Sequence, residues 1–163
     1  MNIFVLSADP VEAARMLCDK HIVKLILEAG MLLCAAHPVG VPPWRRSHYN
    51  HPCAVWARAS TENYRWLAVH GLSMCEEYTR RYGRRHRSED VLLWCAENVP
   101  EDVPVGPLTP FVVAIKNPAY HIGDPVDPVL SYREYYLRDK VRFARWRYCD
   151  PPDWWHKVDE GNI

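Results

Sequence analysis

His21 and Glu28, an acid–base group and a carboxylate, stand seven residues apart in the stretch Cys18-Asp19-Lys20-His21-Ile22-Val23-Lys24-Leu25-Ile26-Leu27-Glu28. Steps of three and four place Cys18, His21, Leu25 and Glu28 in one row of a helix. The same stretch carries an apolar stripe through Leu17, Ile22, Leu25, Ala29, Leu32, Leu33 and Ala36. A titratable ring and a carboxylate therefore sit on or beside the face expected to be buried, where an unpaired charge is costly. At about 1.5 Å rise per residue they stand roughly 10 Å apart along the axis. They cannot bond each other, but both can touch one ligand lying across the helix. The alternative is a satisfied core histidine beside a Lys24–Glu28 surface ion pair. Metal ligation by Cys18, His21, Glu28 and the histidines at 48 and 51 matches no usual zinc spacing. Neither a metal nor another cofactor is expected.

The elements that position these groups read as helices. Asp9-Pro10 is an N-cap acid followed by proline at the first helical position. That helix runs, with a break near Cys18, to about Ala36, and His37-Pro38 stops it. Before it, Met1 to Leu6 reads as a short extended arm or edge strand. A second helix, from Ala54 or Thr61 to Tyr82, ends at Gly83. A short one opens at Ser88-Glu89-Asp90 and reaches about Glu97. A last one spans about 129–148 and stops at Asp150-Pro151-Pro152, followed by an aromatic tail over about 150–163. Between them, about 99–128 is an acidic insert with prolines at 100, 104, 107, 110, 118, 125 and 128, mostly loop with one turn near Phe111–Ile115. The expected fold is all-α: a single compact domain over 1–163, with three main helices, short helices and a long Pro-rich loop.

The 163 residues are enough for one real core. No segment approaches a membrane span or a signal peptide, and six scattered cysteines without a C-x-x-C pair read as reduced thiols of a cytoplasmic protein. Lys and Arg together equal Asp and Glu at 20 each, but the charge is segregated. Residues 45–87 hold nine arginines against three glutamates, a net of +6, whereas 88–130 carry a net of −6. A neutral total therefore hides basic segments suited to a polyanion. The loop Trp44-Arg45-Arg46-Ser47-His48-Tyr49-Asn50-His51-Pro52 and the cluster Arg80-Arg81-Tyr82-Gly83-Arg84-Arg85-His86-Arg87 can each touch phosphate, and each also has a structural explanation, as a connector or as helix-end cations. There is no phosphate-binding glycine loop, no G-x-S-x-G and no H-E-x-x-H.

Asp19-x-His21 followed by Glu28, behind a short N-terminal arm, resembles the first helix of phage pyrimidine-dimer DNA glycosylases of the endonuclease V type. Arg81-Tyr82-Gly83-Arg84-Arg85 and Pro152-Asp153-Trp154-Trp155-x-Lys157 stand where that family has its basic turn and aromatic end. Asn50-His51-Pro52 with Trp56 is similar too. The resemblance implies a glycosylase with AP lyase activity on damaged or modified pyrimidines of double-stranded DNA, working as a monomer. It implies that an α-amine at the chain start attacks deoxyribose C1′ and that Glu28 stabilises the developing cation, with His21 orienting sugar or backbone. It further implies phosphate contacts from Arg45, Arg46, His51, Arg81, Arg84 and Arg85, and approach of Trp154 and Trp155 to the duplex. An α-amine ordinarily titrates near about 7.7–8.0 against about 10.4 for lysine, so part of it is a free nucleophile at neutral pH.

Three differences from the family pattern stand out. Residue 2 is Asn rather than a small residue exposed by methionine removal, Leu27 stands where the family has an arginine, and the 99–128 insert is additional. The amine can be that of Met1, of Asn2 after processing, or of Lys20 or Lys24. Two other functions fit the same residues: an enzyme modifying nucleotides or DNA bases with His21, Lys24 and Glu28 as acid–base groups, and a non-catalytic nucleic-acid-binding module.

Overall fold

Asp9 starts the first helix as a carboxylate cap. Its Oδ1 accepts the N–H groups of Val11 and Glu12 at 2.9 and 2.8 Å, and Pro10 fills the first helical position. In the computed structural model, which describes residues 1–155, this helix α1 is Pro10–Met16 and α2 is Asp19–Ala35, with α3 Pro52–Ala57, α4 Thr61–Tyr82, α5 Glu89–Glu97 and α6 Pro128–Tyr135 following. Ser60 caps α4 through a bond from the Asn63 N–H, and Gly83 closes it in the left-handed conformation at φ +64°. The fold is all-α, with no strand among the described residues. None of their helices is long and apolar enough to cross a membrane. The apolar stripe is buried throughout: Leu17, Ile22, Leu25, Ala29, Leu32 and Leu33 are each 3 % exposed or less.

Helix α4 is the central element, with α1, α2 and α5 all packed on it. Gly71 of α4 lets Leu92 of α5 approach closely: a Cβ there would lie 2.9 Å from Leu92 Cδ2. Each fully buried Leu or Ile of this interior contributes roughly 1.5–3 kcal/mol.

Three local expectations are corrected. The arm at 1–6 pairs with no strand; it runs through the interior, with Ile3, Phe4, Val5 and Leu6 all buried. The turn expected near 111–115 is not helical, and a single 3-10 turn occurs instead at Pro118–Tyr120. The last helix is much shorter than 129–148: α6 passes into a π-turn at Tyr136–Lys140, and no helix follows it among the described residues. The cause is tertiary. Cys18 caps α2 with no side-chain bond, so the Asp19 N–H donates to the Arg145 carbonyl at 2.9 Å. Asp19 Oδ2 accepts the Arg147 N–H at 2.9 Å, and the Trp146 indole N–H donates to Met16 O at 3.2 Å. These bonds hold 145–147 against the start of α2.

The Pro-rich insert is a strap. Prolines lack N–H groups, so the segment offers carbonyls in excess and donors elsewhere satisfy them. The free N–H groups at the start of α4 do this, Thr61 to Pro104 O at 2.9 Å and Glu62 to Gly106 O at 3.3 Å. Ser60 Oγ donates to Pro107 O at 2.8 Å, the Trp56 indole to Pro110 O at 3.0 Å, and Asn63 exchanges two bonds with Thr109.

Candidate functional site

The arm and α2 meet at Glu28. The Asn2 backbone N–H donates to Glu28 Oε2 at 2.9 Å, and Lys24 Nζ lies 3.3 Å from Oε1. The carboxylate is thus buried and paired, while the Lys24 side chain is 65 % exposed. Asn2 is held on every side. Its Oδ1 accepts the Tyr132 hydroxyl at 2.7 Å and the Ile3 N–H at 2.8 Å, and its Nδ2 donates to Ala114 O at 3.0 Å. Tyr132 is fully buried, and its oxygen accepts the Ala114 N–H at 2.9 Å. The strap and α6 together fix residue 2, so asparagine there has a structural purpose that the sequence did not disclose. Next to it Phe4 adopts φ +56°, a left-handed conformation that costs a non-glycine residue about 1–3 kcal/mol. Its ring is clamped by His21 at 4.4 Å, Tyr132 at 5.6 Å and Tyr136 at 5.7 Å.

His21 is buried beside this arm, one turn before Lys24. Its Nδ1 pairs with the Tyr136 hydroxyl, and its ring meets Phe143 edge-on at 5.5 Å. Burial, followed by the charges of Lys140, Lys24 and Lys20, depresses its pKa to about 3. The ring is therefore neutral at physiological pH, and three lysines from two elements surround the site with positive potential. Lys20 lies 4.6 Å over Phe143 and Lys140 lies 4.2 Å over Tyr135.

On the other side, the 44–51 loop is docked onto α2. Trp44 packs closely against Gly30, where a Cβ would come within 2.6 Å of its ring, and Arg46 Nη2 donates to His37 O at 2.5 Å. His51 caps α3, its Nδ1 accepting the Cys53 N–H at 3.1 Å. Burial, then the positive charges of the chain start and His48, lowers the His51 pKa, with Glu28 and the Met1 carbonyl opposing. His51 thus belongs electrostatically to the Met1–Glu28 group. The guanidinium groups of Arg46 and Arg58 lie 4.4 and 3.7 Å over Tyr49. Among the described residues no carboxylate pairs with Arg45, Arg46 or Arg58. Arg45 and Arg46 are exposed.

The other expected contacts have different placements. Arg81 faces inward, its side chain 0 % exposed. It donates to Glu77 Oε1 at 2.6 Å, Leu17 O at 2.8 Å, Arg15 O at 3.0 Å and Asp19 Oδ1 at 3.1 Å. The α1–α2 junction leaves carbonyls that need donors, and Arg81 supplies them, so its charge is satisfied inside. Arg84 bonds the Tyr78 hydroxyl at 3.2 Å, and Arg85 pairs with Glu89 and Asp90 at 3.0 and 2.7 Å. Trp154 and Trp155 are half-buried. Trp154 donates to Met16 Sδ at 3.4 Å and Trp155 packs on Trp146 at 4.8 Å. The remainder of the tail, from residue 156 and including Lys157, lies outside the described residues.

The structure brings Met1, Asn2, His21, Lys24, Glu28 and His51 to one region, flanked by Arg45 and Arg46. Sequence reasoning missed Tyr132, Tyr136, Lys140 and Arg58 there. Their only local signal was aromatic and basic content in elements far along the chain.

The family model for pyrimidine dimer DNA glycosylase matches residues 1–90, just over half of the 163. These residues include the arm, α2, the 44–51 loop and α4. No curated protein and no solved structure matches the chain.

Proposed function

The chain belongs to the pyrimidine dimer DNA glycosylase family, and on that premise we propose that it is a glycosylase with AP lyase activity on damaged pyrimidines in double-stranded DNA, using Glu28 and an amine at the chain start. The observation that carries this reading is the 2.9 Å contact from the Asn2 nitrogen to Glu28 Oε2. Removal of Met1 turns that nitrogen into a free α-amine already beside the carboxylate. Its lone pair attacks deoxyribose C1′ as the C1′–N1 bond breaks and the pyrimidine leaves with the bonding electrons. Positive charge developing at C1′ is stabilised by the adjacent carboxylate. The nitrogen, now carrying two protons and the positive charge, gives one to the departing pyrimidine and, as the C1′–O4′ bond breaks, the other to O4′, and a C1′=N Schiff base forms. Glu28 then accepts a C2′ proton, the C3′–O3′ bond breaks, the 3′ phosphate departs, and water hydrolyses the imine. Lys20, Lys24, Lys140, Arg45, Arg46 and Arg58 supply the field that draws in a polyanion. Lys24 is the second candidate amine, because its Nζ lies 3.3 Å from Glu28 Oε1.

The test is borohydride trapping on duplexes carrying a cyclobutane dimer, an abasic site or neither, with the adduct mapped by mass spectrometry. An adduct at residue 2 on the dimer duplex is expected, and an adduct at Lys24 transfers the nucleophile to that side chain. DNA bound without any adduct refutes the lyase chemistry. Glu28→Gln should keep DNA binding and lose turnover by about 10²–10³, the scale for removal of one electrostatic stabiliser.

A further inference from the structure

Tyr136 stands at the end of α6, fully buried, with its hydroxyl against two groups: His21 Nδ1 in a short hydrogen bond, and Cys18 Sγ at 3.9 Å. A phenol has one proton to give. The imidazole nitrogen is the nearer and stronger acceptor, and a thiol sulfur is a weak one. The proton therefore goes to Nδ1, which leaves the ring proton of neutral His21 on Nε2. Nε2 has no partner among the described residues, yet it is not sealed. Among the described residues, the buried unpartnered side-chain polar atoms are Ser47 Oγ and His70 Nε2. Every other group facing the ring disfavours a second proton: Lys20 and Lys24 on α2 and Lys140 on the π-turn are cationic, and Phe4 and Phe143 are apolar.

We propose that Tyr136 is a positioning residue that holds His21 as its Nε2–H tautomer, so that His21 offers a neutral hydrogen-bond donor to an oxygen of the DNA backbone beside Glu28. The second half rests on the DNA reading above; the first does not. A neutral donor suits this place. A charged imidazolium beside three lysines would add to their repulsion, whereas an uncharged N–H recognises a sugar or phosphate oxygen without it. The tautomer is fixed before DNA arrives, so no reorganisation is needed on binding.

Long-range ¹H–¹⁵N correlation spectra of the imidazoles in the intact protein test this directly. One protonated nitrogen at Nε2 and one bare nitrogen at Nδ1 are expected for His21 across pH 5–8. A proton on Nδ1, or titration of His21 within that range, overturns the assignment. Tyr136→Phe should give mixed tautomers of a His21 that stays neutral, because burial and the three lysines remain; an unchanged tautomer refutes Tyr136 as the cause. The wild-type spectrum decides the matter even where that variant does not fold. Addition of a duplex with a tetrahydrofuran abasic analogue should shift the Nε2–H signal. An adjacent methylphosphonate abolishes that shift if phosphate is the acceptor and leaves it if the sugar is. Bound DNA without a shift refutes the donor role alone, whereas no binding refutes the DNA reading and leaves the tautomer standing.

Discussion

Replacing Arg81 by Met should destabilise the protein by about 3 kcal/mol, the lower end of the roughly 3–5 kcal/mol expected when one partner of a buried ion pair is removed. The lower end applies because Glu77 is not stranded: Arg80 still holds it through Nε and Nη2 at 2.9 and 2.5 Å. The loss comes from the α1–α2 junction, where Leu17 O and Arg15 O are left without these donors and Asp19 without its cation. Hydrogen bonds to such groups are individually worth about 0.5–3 kcal/mol and do not add simply. At about 2–4 °C per kcal/mol for a chain of this size, Tm should fall by about 6–12 °C. Urea unfolding followed by tryptophan fluorescence measures the loss, and filter binding at several salt concentrations measures the phosphate contacts. Below Tm the variant should bind DNA with an unchanged salt slope. A stability loss under about 1 kcal/mol together with a shallower slope would falsify the interior assignment, for it would mean that Arg81 meets phosphate.

The two arginine groups should separate in the same binding experiment. Arg45→Ala with Arg46→Ala should reduce the salt slope by about 0.9 for each phosphate that these side chains neutralise, whereas Arg84→Ala with Arg85→Ala should change it by less than about 0.9 because Glu89 and Asp90 already occupy Arg85; the reverse order would move the interface to the end of α4. Gly30→Ala should push Trp44 off α2, costing about 1–3 kcal/mol and shifting tryptophan emission, and an unperturbed spectrum with wild-type stability would show that Trp44 does not dock there. Burial depresses His70 to about 4 and His21 to about 3. Both are neutral when folded but gain protons near 6.5 when unfolded, so stability should be complete above pH 6.5. It should fall on acidification toward about pH 4 by about 1.4 kcal/mol per pH unit for each histidine. A flat urea midpoint between about pH 6.5 and 4.5 would contradict their burial.

The helices that carry the site were legible because their rules are local. Asp9-Pro10 and Gly83 mark ends through bonds to residues two to four positions away, and the stripe from Leu17 to Ala36 follows from about 3.6 residues per turn. The row Cys18, His21, Leu25, Glu28 was legible for the same reason, together with the option that a ligand crosses it at His21 and Glu28. The resemblance of the arm, this helix and the basic turn pointed to the family that the first 90 residues match. The basic cluster at 80–87 was misleading in part, since composition records charge and not direction. Only the tertiary structure decided that Arg81 turns inward while Arg45 and Arg46 stay outside. It also decided that Asn2 meets Tyr132, 130 residues away, and that His21 meets Tyr136, 115 residues away. Hydrogen bonds at such separations depend on how faces pack, and no periodicity along the chain encodes which face meets which. The last helix shows the same limit: its sequence favours continuation to 148, but the uncapped start of α2 and the Asp19 carboxylate bind residues 145–147 more favourably than another turn of helix would.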